Sequence, residues 1–158
     1  MNQRPTPQRT FAVEKLQVEV FATRAHLGAA AADDAAAQMR VLIREQGTVR
    51  MVFAAAPSQN EFLAELGRLP GIDWGRVVAF HMDEYVGLGP DAPQSFARFL
   101  REHLFQRVRP GQVHYLNGLA PDPQAECSRY AALLAQAPID IVCAGIGENG
   151  HLAFNDPP

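Results

Sequence analysis

Three short and mostly apolar runs without polar–apolar alternation constrain the fold of this chain more than any other feature. They are Val49 to Ala56, Val77 to Phe80 and Ile139 to Ala144. Such runs are typical of parallel strands that are covered on both faces. Because parallel strands cannot be joined by a tight hairpin, each run requires a crossover connection before the next one begins.

Helical patterns lie between these runs. Apolar residues recur every three or four positions over Arg24 to Glu45, and Gly47 is a natural stop for this helix. The predicted buried stripe consists of Leu27, Ala31, Ala35, Met39 and Leu42. Later helices are predicted over Ser58 to Leu69, Ser95 to Leu104 and Pro121 to Gln136, and shorter strands over Leu16 to Val20 and Val113 to Leu116.

Strands that alternate with helices along the whole chain predict a Rossmann-like α/β fold, an open and mainly parallel sheet with helices on both faces. We expect a single domain over residues 11–158. Residues 1–10 contain too few apolar side chains to fold onto a core, and we expect them to form a disordered or extended arm.

Composition excludes several classes of protein. A formal net charge of −3 gives no basic footprint, so we expect no nucleic-acid partner. Cys127 and Cys143 are too few for a disulfide framework or a zinc site, and we expect plain thiols. No apolar run reaches membrane-spanning length and the polar N-terminus does not resemble a signal peptide, so the expected location is the cytoplasm.

Two adjacent carboxylates, Asp83 and Glu84, directly follow the second apolar run. One interpretation is structural, with the pair capping the following turn. The other is catalytic, because one carboxylate can act as a base while its neighbour orients it or shares a proton. His81, Asp83, Glu84 and His151 also suggest a metal site, but no H-x-x-H or H-E-x-x-H spacing supports one, and we predict no metal.

The last apolar run leads into Gly145-Ile146-Gly147-Glu148-Asn149-Gly150, which matches G-x-G-x-x-G literally. A dinucleotide fingerprint would follow the first strand and open a helix, whereas two prolines close this segment. We therefore expect Gly147 and Gly150 to allow a tight turn and a close approach to a ligand. His151 is either a surface histidine or a proton carrier whose ring is oriented by Asp156 or Glu148.

Ser58 and Gln59 follow the first apolar run at the predicted start of a helix. Ser58 and Glu61 form the S-x-x-E pattern of a capping box. Free N–H groups at the start of a helix also favour an anion, so the same residues are candidates for phosphate binding.

Two motifs, MDEYVGL at Met82 to Leu88 and GIGENGHLAFNDPP at Gly145 to Pro158, resemble the glucosamine-6-phosphate deaminase family, which shares a fold with the 6-phosphogluconolactonases. In the lactonases the first motif reads more like GDER and the second continues as GH-T-A-S. The MDEY and FNDP segments of this chain are closer to the deaminases.

This resemblance implies an aldose–ketose isomerising deaminase that converts glucosamine 6-phosphate to fructose 6-phosphate and ammonia. It implies that Asp83 moves a proton between C2 and C1, and that His151 assists ring opening with Asp156 as its supporting carboxylate. Asn149 stands where many members have Asp, Asp156 replaces a more usual Glu, and Pro57 to Glu61 replaces a glycine-rich phosphate loop.

Alternatives remain open within and outside this class. A lactonase of the same fold would hydrolyse a sugar-phosphate lactone, and a non-catalytic protein would only sense a sugar phosphate. We expect a small sugar phosphate as partner, with no cofactor and no membrane, and a homo-oligomer is compatible with the sequence. Because members of the family run well past this point, we expect the domain to be incomplete at its C-terminus.

Overall fold

The computed structural model describes residues 3–157, which form a four-stranded parallel sheet, a two-stranded antiparallel sheet and helices on both faces of the larger sheet. The Rossmann-like α/β prediction is confirmed. The strands are β1 (Arg9–Val13), β2 (Leu16–Val20), β3 (Val49–Phe53), β4 (Val77–His81), β5 (Gln112–His114) and β6 (Ile141–Cys143). The helices are α1 (Arg24–Gln46), α2 (Asn60–Leu66), α3 (Phe96–Leu100), α4 (Gln106–Val108) and α5 (Pro123–Leu134). A π-helical turn, Arg101–Phe105, joins α3 to α4.

The parallel sheet has the strand order β5-β4-β3-β6, so β3 lies between the two strands that carry the polar motifs. In this register Phe53 pairs with both His81 and Cys143. All three strands run in the same direction, and the segments that follow them therefore leave the sheet at one edge.

The main core lies on one face of this sheet. Met51, Phe53 and Ala79 point into it and are fully buried against α1, α2 and the helical segment of residues 96–108. Burying a large apolar side chain of this kind contributes about 1.5–3 kcal/mol to stability. On the opposite face Phe80 packs edge-to-face on Tyr130 of α5, with ring centroids 6.0 Å apart.

The ends of α1 agree with the sequence prediction, and its buried face agrees in part, because Met39 is buried and Ala35 and Leu42 pack partly buried against the core. Leu27 is 50% exposed and Ala31 is exposed, whereas the buried positions are Gly28, Ala30, Ala32, Ala36 and Met39. The reason is a close approach between helices, because a Cβ on Gly28 would lie 2.6 Å from the Cβ of Glu61 in α2. Small residues therefore face the core where the helices are closest.

The start of α2 also corrects a prediction. Pro57–Gln59 forms a 3₁₀ turn, and the Ser58 side chain caps neither this turn nor α2. The Glu61 carboxylate accepts two hydrogen bonds, of 3.0 and 2.9 Å, from the Arg24 guanidinium. The S-x-x-E pattern is therefore not a capping box here.

The first strand begins inside the segment that the sequence assigns to a disordered or extended arm. Arg9 and Thr10, assigned to the arm, begin β1, and Arg4 forms ion pairs of 2.6 Å with Glu19 and 2.7 Å with Asp34. Residues 3–8 have no helix or strand, while Met1, Asn2 and Pro158 lie outside the described residues.

Two further sequence expectations concern the whole chain. Across residues 3–157 no helix is both long enough and apolar enough to cross a membrane. Both cysteines are free thiols, Cys127 exposed and Cys143 on β6 partly covered, and burial raises the pKa of Cys143 to about 12.

His81 is a buried polar residue. It is fully buried at the end of β4, and its Nδ1 accepts a hydrogen bond of 3.1 Å from the backbone N–H of Leu116. Its proton therefore lies on Nε2, which is 3.6 Å from the Glu84 carboxylate. Burial lowers the pKa of His81 to about 4, with Glu84 acting in the opposite direction.

We expect His81 to make the protein sensitive to mild acid. Its pKa is 6.5 when unperturbed and about 4 in the folded protein, so between these pH values the unfolded chain takes up a proton that the native state does not. The free energy of unfolding should fall as pH is lowered through this window. Urea denaturation at pH 7 and pH 5 measures the fall.

The matched variant is His81→Asn, whose side-chain oxygen can replace Nδ1 as the acceptor for Leu116 N–H. It should be less stable than the wild type at pH 7 but should lose less stability on going to pH 5. An equal pH dependence in both proteins would show that His81 is not responsible.

Candidate active site

A cleft of about 520 Å³ lies at the edge of the sheet where β3, β4 and β6 end. Three segments line it: residues 54–58 after β3, Met82 and Asp83 after β4, and the glycine-rich segment after β6, with Phe96 of α3 beside them. The predicted site residues that face this cleft are Ser58, Asp83, Gly147, His151 and Asp156. Strands that are distant in sequence thus bring these candidate site residues together around one cleft.

Asp83 lines the cleft directly after β4, and its carboxylate is partly buried. Burial raises its pKa, and the negative charge of Glu84 raises it further. A carboxylate with a raised pKa binds a proton more tightly than an ordinary Asp, and is therefore better suited to removing one from carbon.

His151 is held by a chain of hydrogen bonds on its Nδ1 side. The Asn149 amide nitrogen donates to Asp156 Oδ1 at 2.9 Å, and the Asn149 oxygen lies 2.6 Å from His151 Nδ1. Since an ionised carboxylate only accepts, the amide must turn its nitrogen to Asp156 and its oxygen to His151. The backbone N–H of His151 also donates to this oxygen, at 3.2 Å.

The orientation of this amide determines the tautomer of His151. An amide oxygen can only accept, so Nδ1 must carry the proton and, in the neutral ring, Nε2 carries a lone pair. His151 can therefore accept a proton at Nε2 while Asn149 and Asp156 hold the other side of the ring. Asp156 Oδ1 itself is 3.7 Å from Nδ1, so the amide is the direct contact.

Gly147 is required by the position of the His151 ring. A Cβ on Gly147 would overlap the imidazole, and the Gly147 N–H donates to the His151 carbonyl at 2.9 Å. Gly150 has φ 87°, which favours glycine, and its N–H donates to the Gly147 carbonyl. Gly150 shapes the turn but does not line the cleft, whereas Gly147 does both.

Glu84 is not brought into the cleft with Asp83. Its carboxylate accepts hydrogen bonds from the Ser95 hydroxyl at 2.8 Å and from the backbone N–H groups of Tyr85, Phe96 and Ala97 at 3.0 to 3.1 Å. It therefore caps the start of α3, which is the structural interpretation considered for this pair. The reason is the chain direction: after β4, Asp83 faces the cleft and Glu84 faces the helix.

Ser58 lines the cleft, but Gln59 does not. Gln59 is buried, and its side-chain nitrogen is 3.4 Å from the Ser58 hydroxyl. Both side chains lie close to Gly145, where a Cβ would come within 3.0 Å of Ser58 Oγ. Gln59 therefore contacts the site through Ser58 and the turn after β6.

Three aromatic rings at the cleft were not predicted as site residues. Tyr85, Phe96 and Phe154 pack together with centroids 5.0 to 5.8 Å apart, and Phe96 and Phe154 line the cleft. They join the loop after β4, the start of α3 and the segment after His151. No local pattern indicates this cluster, because its members are brought together only by the parallel sheet.

The fold and the cleft define an α/β protein with a carboxylate and an oriented imidazole at the carboxyl ends of parallel strands. Residues 22–154 match the family model for "Glucosamine-6-phosphate isomerases/6-phosphogluconolactonase", and the chain belongs to this family. Over 134 residues it is 39% identical to a glucosamine-6-phosphate deaminase of an Exiguobacterium strain, an alignment that covers 83% of this chain and 53% of that protein.

Solved structures agree with this assignment. A monomeric glucosamine-6-phosphate deaminase is 30% identical with a TM-score of 0.77, and the match covers 85% of this chain and 57% of that one. A 6-phosphogluconolactonase from Shewanella baltica is 26% identical with a TM-score of 0.76, covering 85% and 58%. The chain spans little more than half the length of these three proteins.

The hydrogen bonds around His151 predict a measurable tautomer. Ring ¹⁵N chemical shifts at neutral pH should show the proton of the neutral imidazole on Nδ1. Asn149→Ala removes the acceptor for this proton, so the preference for the Nδ1–H form should weaken.

Asn155→Ala is the matched control. Asn155 lies in the same segment, but its side chain donates to the Leu152 carbonyl and does not contact the ring. It should leave the tautomer unchanged. A wild-type ring protonated on Nε2 would contradict the assignment.

Proposed function

We propose that this protein is an aldose–ketose isomerising deaminase that converts glucosamine 6-phosphate to fructose 6-phosphate and ammonia. The observation that carries the proposal is the presence in one cleft of Asp83, a carboxylate with a raised pKa, and of His151, an imidazole with one nitrogen held by Asn149. The names of the similar deaminases support the same substrate class.

The first step assigned to His151 is opening of the sugar ring. Nε2 takes the proton of the C1 hydroxyl while the C1–O5 bond breaks, and O5 takes a proton from solvent. Nδ1–H remains bound to the Asn149 oxygen throughout, and Asp156 holds the amide in place. The product is an open-chain aldehyde whose C2 hydrogen is acidic because it is adjacent to a carbonyl group.

The second step is assigned to Asp83. Its carboxylate removes the C2 proton, the electron pair forms a C1=C2 double bond, and O1 takes a proton from the His151 imidazolium. Asp83 then delivers its proton to C1, and the nitrogen lone pair forms C=N at C2. Water adds to this iminium and ammonia leaves, giving the ketose. Asp83 and His151 thus supply the proton transfers at C1, C2 and O1, and solvent supplies the rest.

The phosphate is assigned to the Ser58 end of the cleft, where the hydroxyl of Ser58 and the turn at Gly145–Gly147 approach each other. Glu61 lies near this end, but its charge is paired with Arg24, which also donates to the Pro57 carbonyl at 2.8 Å. A dianion at Ser58 would therefore meet a neutralised ion pair and not a free carboxylate. Gln59, whose side-chain nitrogen is 3.4 Å from the Ser58 hydroxyl, would hold Ser58 in position.

A second candidate function is hydrolysis of a sugar-phosphate lactone, favoured by the structural similarity to the Shewanella baltica lactonase. His151 Nε2 would then activate water, and Asp83 would have no carbon-bound proton to move. In either case we propose a small sugar-phosphate partner and a cytoplasmic location.

Asp83→Asn tests the proposed reaction. It keeps the shape of the side chain and removes the base, so ammonia release from glucosamine 6-phosphate should fall by about 10²–10⁴-fold. Substrate binding, measured by calorimetry, should change little. Lactone hydrolysis by the wild type without ammonia release would instead establish the second candidate.

Ser58→Ala tests the phosphate assignment. It removes a hydrogen bond to a charged acceptor, worth roughly 1.5–3 kcal/mol, so affinity should weaken by roughly ten- to a hundredfold. Glucosamine without its phosphate should bind both proteins equally weakly.

Glu61→Gln is the companion variant. It releases Arg24 from its ion pair and should leave phosphate affinity unchanged or improve it. If Ser58→Ala weakened binding of both ligands equally, or of neither, the phosphate would be held elsewhere in the cleft.

A further inference from the structure

The Glu84 carboxylate is the most fully hydrogen-bonded acidic group near the cleft. Its side chain is 4% exposed, and it accepts from one hydroxyl and three backbone N–H groups. Two of these N–H groups, those of Phe96 and Ala97, begin α3, and the third belongs to Tyr85 beside it. One side chain thus connects the end of β4 to the start of the next helix.

This connection spans the loop that carries Asp83. The loop leaves β4 at Met82, whose N–H donates to the Phe53 carbonyl at 3.0 Å, and returns to the structure at Ser95, which is itself buried. Ser95 Oγ donates to Glu84 and accepts from Arg98 N–H at 3.2 Å, so it caps the same helix. Glu84 therefore holds the loop closed immediately next to Asp83.

We propose that Glu84 is a positioning residue that holds the Asp83 loop on α3 and keeps a permanent negative charge beside the Asp83 carboxylate. The role of Asp83 as a base rests on the function proposed above, whereas the effect of Glu84 on Asp83 is independent of any substrate. Glu84 does not line the cleft, so it acts on the chemistry only through its neighbour.

The charges around the pair agree with this division of roles. Burial opposes ionisation of Glu84, but hydrogen bonds from Ala97, Ser95, Phe96 and Tyr85 overcome it, and the pKa of Glu84 is lowered. His81 of β4 faces Glu84 and is neutral, while Arg101 and Tyr115 line a separate pocket with Glu84 that does not include Asp83. The other titratable groups that line the cleft with Asp83 are Glu148, His151 and Asp156.

The experiment is a carboxyl ¹³C titration of the ligand-free protein. Glu84→Gln removes the charge with little change in shape, so the measured pKa of Asp83 should fall. Should deaminase activity be detectable, the acid limb of its kcat/KM profile should move to lower pH by the same shift. An absence of activity would count against the proposed function and leave this titration valid.

Ser95→Ala is the matched control, because it removes one hydrogen bond to Glu84 and one cap of α3 without changing any charge. Its unfolding midpoint in urea should fall, but the Asp83 pKa should remain near the wild-type value. An equal fall of the Asp83 pKa in both variants, or no fall in Glu84→Gln, would overturn the proposal.

A wild-type measurement covers the case in which Glu84→Gln does not fold. The same spectra report the titration of Glu84 itself, which must lie below that of Asp83 if Glu84 is charged while Asp83 takes up its proton. Glu84 titrating above Asp83 would overturn the proposal without any variant.

Discussion

The parallel pairing of β3 with β4 on one side and β6 on the other is the constraint on which the cleft depends. It aligns Phe53, His81 and Cys143 across the sheet, so that the three segments following these residues begin at the same level. A shift of one residue in either pairing would reverse which side chains face the core. The buried Met51, Phe53 and Ala79 make such a shift costly and thereby hold the register.

Adjacent carboxylates at the end of β4 have opposite environments. Glu84 is surrounded by donors that favour its charge, whereas Asp83 is desolvated and lies beside that charge, and their pKa values move apart. Separation of two neighbouring carboxyl groups in this way is how a site assigns different roles to chemically similar residues. Here backbone direction sets the two environments, since one side chain faces the cleft and the next faces α3.

The sequence predicted the fold class and most of the candidate site because both depend on local patterns. Apolar runs indicate buried strands, and polar residues just beyond them must lie at the strand ends, which explains the placement of Ser58, Asp83 and His151. The predicted buried stripe of α1 was wrong at Leu27 and Ala31 but right at Met39, because an alanine-rich helix has little contrast between its faces. Its orientation depends on Gly28 meeting α2, a contact between elements.

Other differences arise from competition between partners for one side chain. Ser58 and Glu61 have the spacing of a capping box, but Arg24 lies close enough to bind Glu61, and the charged hydrogen bonds replace the cap. Adjacent residues of an extended segment point to opposite faces, but the sequence does not show which face meets a ligand, so Asp83 and Glu84 were both candidates. The backbone N–H groups of Tyr85, Phe96 and Ala97 all donate to the Glu84 carboxylate, and this arrangement depends on how α3 packs beside β4.

An amide suits position 149 because His151 and Asp156 require opposite hydrogen-bonding partners. His151 with Nδ1 protonated requires an acceptor, and the Asp156 carboxylate requires a donor, and a single amide supplies both at 2.6 and 2.9 Å. A carboxylate at this position would satisfy His151 but would face the Asp156 oxygen without a proton between them. With Asp156 at 3.7 Å from the ring, the amide is the group that completes the link. Asn149 and Asp156 are therefore best understood as a matched pair, in which the amide transmits the orientation of the carboxylate to the imidazole.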